Sequence, residues 1–124
     1  MPSDTVKLVL VANMATNMGV GRVCAQCCHA AVLTILEAGE WVDTTFQIAT
    51  DGDPTFKYWM QEGFTKVVVK VWGEEELLAL KIKAESLGLR TALMVEDDGQ
   101  CTALSIGPAE TSKLNPVTRD LLLL

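Results

Sequence analysis

Apolar and polar positions follow patterns along the chain that predict most of its elements. Residues 6–12, Val-Lys-Leu-Val-Leu-Val-Ala, are a short apolar run rich in β-branched side chains, the mark of a buried strand. The polar stretch from Asn13 to Asn17 predicts a turn. Residues 21–38 contain neither proline nor an internal glycine, and Gly39 stands where a helix C-terminal glycine belongs, so a helix is expected there. Residues 44–49 fit a strand by propensity, or a loop leading to a helix start at Asp53-Pro54, with Asp53 as cap and Pro54 in the first helical position. That helix, 54–62, ends at Gly63. Residues 66–72 form the clearest strand, and their apolar continuity implies a central place in a sheet. Glu74, Glu75 and Glu76 open a helix over 74–87, their carboxylates favourable at its positive end, with Gly88 at its stop. Two more strands, 91–95 and 102–106, are joined by a short Asp-Gly-containing link that favours an antiparallel hairpin. Gly107-Pro108 is expected to end the sheet, and a last helix, weakened by Pro116, precedes the four terminal leucines.

This order predicts an α/β fold, a three-layer sandwich in which a mixed sheet of about four strands carries helices on both faces. At 124 residues and 49% apolar composition, one domain spanning 1–124 has an ample core and a second does not fit. No apolar run reaches the roughly 18 to 20 residues of a membrane span, and residues 1–5 lack a signal-like pattern, so a soluble, cytoplasmic protein without membrane contact is expected. The formal charge of -6 argues against nucleic-acid binding by overall charge. A local patch from Lys7, Arg22, Lys57, Lys66 and Lys70 remains open. Four cysteines are too few for a disulfide scaffold, so reduced thiols are expected. A zinc site from Cys24, Cys27 or Cys28, His29 and Cys101 lacks a second C-x-x-C, and the C-x-x-C-H spacing of a c-type haem fails because Ala25 stands three before Cys28. Neither metal nor cofactor is expected.

Met18-Gly19-Val20-Gly21-Arg22 lies between strand and helix, where backbone N–H groups and the helix dipole favour an anion. Arg22 adds a planar cationic fork suited to phosphate. Arg22, Gln26, His29 and Leu33 follow at steps of four, three and four and share one helix face, with Arg22 and His29 about 10 Å apart along the axis. Each feature has a plainer reading. Two glycines before a helix also make a simple tight turn, His29 also fits a buried or half-buried hydrogen-bonded histidine, and Asp97-Asp98-Gly99 also fits a solvated hairpin turn. A dinucleotide loop would need a third glycine where Cys24 stands, although Asp51 loosely matches a ribose-binding acid.

The run Met18-Gly19-Val20-Gly21-Arg22-Val23-Cys24-Ala25-Gln26-Cys27-Cys28-His29-Ala30 resembles the M-G-K-G-K-x-x-A-Q-x-x-H-A pattern of the archaeal and eukaryotic, second-class peptidyl-tRNA hydrolases. Trp59 with Gly63 and Lys66-Val67-Val68-Val69-Lys70-Val71, then Leu104-Ser105-Ile106-Gly107-Pro108 and Val117-Thr118, extend the resemblance over nearly the whole chain. It implies hydrolysis of the ester joining a peptide to the 3′ ribose of tRNA, without metal or organic cofactor, with the tRNA acceptor end as partner. Carried over residue by residue, the family's functional positions fall on Arg22, Gln26, His29, Asp97 and Thr102. Val20 and Arg22 replace the two lysines, Asp98 replaces an alanine, and the loop before the last strand is about seven residues shorter than the family pattern. The resemblance extends to a divergent subgroup of peptidyl-tRNA-hydrolase-domain proteins that also departs in this region.

On this reading Asp97 orients or deprotonates water, Thr102, Gln26 or backbone N–H groups hold the carbonyl, and Arg22 with the helix start (Gly19, Gly21) binds phosphate. His29 completes the catalytic candidates, and Gln26 and Asp98 the substrate-binding ones. The alternative is a binding module whose hydrolytic site has eroded, with a protein partner at the sheet edge or at residues 121–124. Those leucines must be packed, paired across a homodimer or exposed as a patch. Thiol chemistry at Cys24, Cys27 and Cys28 lacks the strand-then-C-x-x-C context it needs.

Overall fold

The computed structural model of the chain describes residues 4–124. Among these, β1 (Val6–Asn13) and a 3-10 turn (Met14–Thr16) lead into α1 (Val20–Ala38), followed by β2 (Glu40–Val42), β3 (Thr45–Gln47) and α2 (Pro54–Gln61). Then come β4 (Lys66–Val71), α3 (Glu74–Ser86), β5 (Thr91–Val95), β6 (Cys101–Glu110), α4 (Thr111–Thr118) and β7 (Leu122–Leu123). The main sheet has the order β5-β6-β1-β4-β7; β1 and β4 are parallel and the other neighbours antiparallel.

β1 is the axis of the core because both of its faces are apolar. Val6, Leu8, Leu10 and Ala12 meet α1 and Trp59 of α2 on one side. Val9 and Val11 meet Leu77 and Ala84 of α3 and Leu114 and Val117 of α4 on the other. The result is the expected α/β sandwich. Asp53 caps α2 as its sequence suggested, its Oδ1 accepting from Phe56 N at 3.1 Å with Pro54 at the helix start.

Three expectations are corrected, and the choice left open at 44–49 is decided for the strand. The main sheet has five strands rather than about four, because the leucine tail turns back along β4: Leu122 pairs with Lys70, Leu123 with Val69, and Leu124 N donates to Val68 O at 3.1 Å. Gly107-Pro108 does not end the sheet. β6 continues to Glu110, and the proline sits at a register shift against Lys7 and Val9, where no ladder hydrogen bond is demanded of it. Within 44–49, residues Thr45–Gln47 form one arm of a separate hairpin with Glu40–Val42. Finally, α1, at 19 residues, is long and apolar enough by length and composition to cross a membrane, although it holds no unbroken apolar run of that length. Here it lies on the sheet, with Val23, Gln26, Cys27, Ala30 and Thr34 buried against it.

Gly39 ends α1, but not through left-handed backbone, since its φ is -128°. A Cβ at that position would stand 2.5 Å from Gln47 O and 2.6 Å from the Phe46 ring. The glycine is there so that the β2–β3 hairpin can fold back over the helix end.

Candidate functional site

The candidate residues gather at one end of the sheet because of strand direction. α1 starts beyond the C-terminal end of β1, and β6 runs antiparallel to β1, so the β5–β6 turn arrives at the same end. Asn13 ties the two together from a buried position. Its Nδ2 donates to Cys101 O at 3.0 Å, while its Oδ1 accepts from Ala15 N at 3.1 Å. The motif comparison had passed over this residue.

Gly19 is the N-cap of α1 and offers no capping side chain. The first N–H held by a helical acceptor is that of Val23, on Gly19 O at 3.0 Å, so the N–H groups of Val20, Gly21 and Arg22 have no partner within the helix. A Cβ on Gly19 or Gly21 would meet nothing within 4 Å, and Gly19 has φ -71°. Packing and backbone geometry therefore do not require these glycines, and the helix start is open to solvent.

A chain of hydrogen bonds then runs from the core to the surface. Thr102, fully buried, donates from Oγ1 to Gln26 Oε1 at 2.7 Å, which turns the Gln26 amide so that Nε2 points outward. Gln26 Nε2 donates to Glu96 Oε1 at 2.8 Å, and Arg22 Nη2 donates to the same oxygen at 2.8 Å. Two backbone features aim this chain. Met94 faces α1, and strand alternation places Glu96 on that side as well. Between β5 and β6 the register passes from Met94–Ala103 to Val95–Cys101, which leaves Thr102 as the extra residue of a bulge. The bulge turns its hydroxyl toward α1 although Cys101 and Leu104 face the opposite core.

Arg22, Gln26 and Thr102 are thus brought together, with Glu96 as the carboxylate that joins them. Asp97, one residue later, is exposed, and its side chain makes no hydrogen bond or ion pair among the described residues. Asp98 Oδ1 accepts from Gln100 N at 3.0 Å and so shapes the turn, which Gly99 (φ 90°) and the Glu96 N to Gln100 O bond close. His29 is exposed rather than buried, although Gln26 on the same helix face is buried.

Four of the five basic residues, Lys7, Arg22, Lys66 and Lys70, do not form one patch. Lys7 alternates onto the α3/α4 face, Arg22 is paired with Glu96, and Lys66 and Lys70 lie together on the α1 face of β4. No group of three or more His, Cys, Asp or Glu suited to a metal ion occurs among the described residues. Cys24 and Cys28 are exposed, whereas Cys27 and Cys101 are buried. Burial pushes both buried thiols up to about 11, with neighbouring thiols adding to the effect at Cys27 and Glu74 at Cys101.

Known proteins match this chain over nearly all of it. A family model described as peptidyl-tRNA hydrolase PTH2 matches residues 6–124. A peptidyl-tRNA hydrolase of Metallosphaera sedula is 33% identical, covering 95% of this chain and 99% of its own length. One from Halobacterium salinarum is 36% identical over 93% and 96%, and one from Methanococcus maripaludis 36% over 86% and 89%. Shared sequence of this extent, on a fold whose glycine-led helix and β5–β6 turn meet at one sheet end, makes the chain a member of the peptidyl-tRNA hydrolase PTH2 family.

Proposed function

We propose that the chain hydrolyses the ester between a peptide and the 3′ ribose of tRNA, and that the end of the sheet carrying Arg22, Gln26, Glu96 and Thr102 is where it does so. The observation that carries this reading is the continuous chain of hydrogen bonds from Thr102 to Arg22, set beside three unpartnered N–H groups of α1. An ester hydrolase needs a held water, a group to stabilise the oxyanion and a grip on the substrate. Glu96 presents one oxygen to Arg22 and Gln26, and its other oxygen is left to hold a water, with Asp97 next to it at the surface. The water oxygen adds to the ester carbonyl carbon and gives its proton to the carboxylate. The free N–H groups of Val20, Gly21 and Arg22, at the start of α1 behind Gly19, receive the oxyanion. The carbonyl then re-forms, the bond to the 3′ oxygen breaks, and that oxygen takes the proton.

Arg22 grips a phosphate of the acceptor end by exchanging it for Glu96. Thr102, whose hydroxyl is spent on Gln26, acts as a positioning residue, and His29 and Asp98 flank the path of the substrate. The reading needs neither metal nor cofactor. On this reading the chain works in the cytoplasm, where peptidyl-tRNA is met. The test is peptide release from a purified N-blocked aminoacyl-tRNA. Turnover by the wild type that falls with Arg22→Ala and Glu96→Gln supports the assignment; no turnover, or turnover indifferent to both changes, defeats it.

A further inference from the structure

α1 packs on β5, β6 and β1, and Trp59 of α2 fills part of the space beside it, which leaves the β4 strip of the same sheet face only half covered. Between α1 and β4 lies a groove of about 450 Å³ with Leu10 and Val68 on its floor, Cys28 and Ile35 on its helical wall, and Phe64 and Lys66 at one end. None of its lining residues is acidic, in a chain whose net charge is -6. Alternation along β4 puts Lys66, Val68 and Lys70, and then Trp72, on this face.

Each lysine on it stands over an aromatic ring. Lys66 Nζ is 3.4 Å from the centroid of Phe64 and 5.4 Å from that of Trp59, and Lys70 Nζ is 5.6 Å from that of Trp72. Trp72 is 62% exposed and Phe64 45%. Phe64 also holds a left-handed backbone (φ 51°), which is uncommon for a bulky side chain, and so keeps its ring at the mouth of the groove. Lys66 and Lys70 are about 13 Å apart along the strand. Trp72 follows Val71, the partner of Asn13, and therefore stands at the sheet end where the turn to Gly19 begins.

We infer that this face of β4 is a track for single-stranded RNA, in which Lys66 and Lys70 bind phosphates while Trp72 and Phe64 stack on bases. The inference rests on the hydrolase reading, because it assigns to the track the unpaired end of the tRNA whose ester reaches the site. Cations alternating with exposed rings over an apolar floor suit a polyanion with planar apolar bases. An apolar protein segment would leave both ammonium groups without a counter-charge. The track starts beside the helix start and recedes from it along β4, so a strand lying on it would bring its terminal ribose to the α1 end.

The test uses the full chain and a labelled eight-nucleotide single-stranded RNA, with binding followed by anisotropy over a range of salt. The double change Lys66→Gln with Lys70→Gln is expected to lower the slope of log affinity against log salt by about 1.4. Trp72→Ala is expected to weaken binding roughly 5- to 150-fold, and Lys66→Arg with Lys70→Arg to retain it. With N-blocked aminoacyl-tRNA, the same weakening variants should raise KM and leave kcat in place. RNA binding indifferent to these changes overturns the track, even if hydrolysis proceeds. The same holds if the changes abolish only self-association in sedimentation, which would make the face a contact between copies of this chain. Track-dependent RNA binding by a wild type that releases no peptide would instead retain the track and overturn the hydrolase reading.

Discussion

The two flanks of α1 are made of opposite materials. Toward the β5–β6 turn it presents Arg22, Gln26 and His29, with the middle residue held by a buried threonine and a half-buried glutamate. Toward β4 it presents Cys24, Cys28, Val32 and Ile35 above an uncovered strip of sheet. Between the flanks runs a narrow buried stripe of mostly small side chains, Val23, Cys27, Ala30 and Thr34, that keeps the helix close to the strands. The β4 flank rests on the buried Trp59, 1% exposed, whereas the other flank carries the polar chain of hydrogen bonds. Changes on the two sides should register in different measurements.

The largest effect is expected from Trp59→Ala. It removes a buried ring stacked near Phe56 and Phe64 and an indole N–H that donates to Thr65 O at 2.7 Å. A loss of about 3–5 kcal/mol in denaturant unfolding is expected. Glu96→Gln should reverse the pattern. It should lower kcat/KM for peptide release about a hundredfold, while the melting temperature barely moves, because the replacement amide oxygen still accepts from Gln26 and a partly exposed ion pair contributes only about 0–1 kcal/mol. A large stability loss there would break the division between the flanks. Thr102→Val should register in both assays, since it leaves Gln26 Oε1 without its donor; about 1–3 kcal/mol of stability is expected to go with part of the activity.

The smallest effect concerns the thiols. At pH 8, a thiol reagent should modify Cys24 and Cys28 quickly, and Cys27 and Cys101 only on unfolding. The two buried thiols have pKa values raised to about 11, above the ordinary value of 9.0. The unfolded chain therefore loses these protons first as pH rises. Their contribution to stability is intact below about pH 9 and declines between about 9 and 11, a limb that Cys27→Ala should shorten.

Sequence pattern revealed the elements whose burial is one-sided or continuous: β1, α1, α2 with its Asp53 cap, β4, α3 and the β5–β6 hairpin. It missed β7 because four identical leucines carry no alternation, and β2, the partner of the strand offered at 44–49, because Trp41 and Val42 are exposed on both sides of their strand. It ended β6 too early because a register shift that tolerates proline is invisible in the order of residues. At the site, Arg22, Gln26 and Thr102 were legible through the family pattern, and their meeting depends on a bulge that no motif records. Glu96 was legible by another route. It follows Met94 by two residues, and alternation alone would have turned it toward α1.

The ion pair between Arg22 and Glu96 has a consequence for selectivity. Glu96 belongs to the same chain as Arg22 and so meets the guanidinium as an intramolecular partner, whatever ions the solution holds. A lone inorganic phosphate has to displace it unaided. Under the proposed function, a tRNA already held on the β4 face would bring its phosphate on tethered terms too, so the carboxylate would act as a built-in competitor that favours an anchored substrate over a small anion.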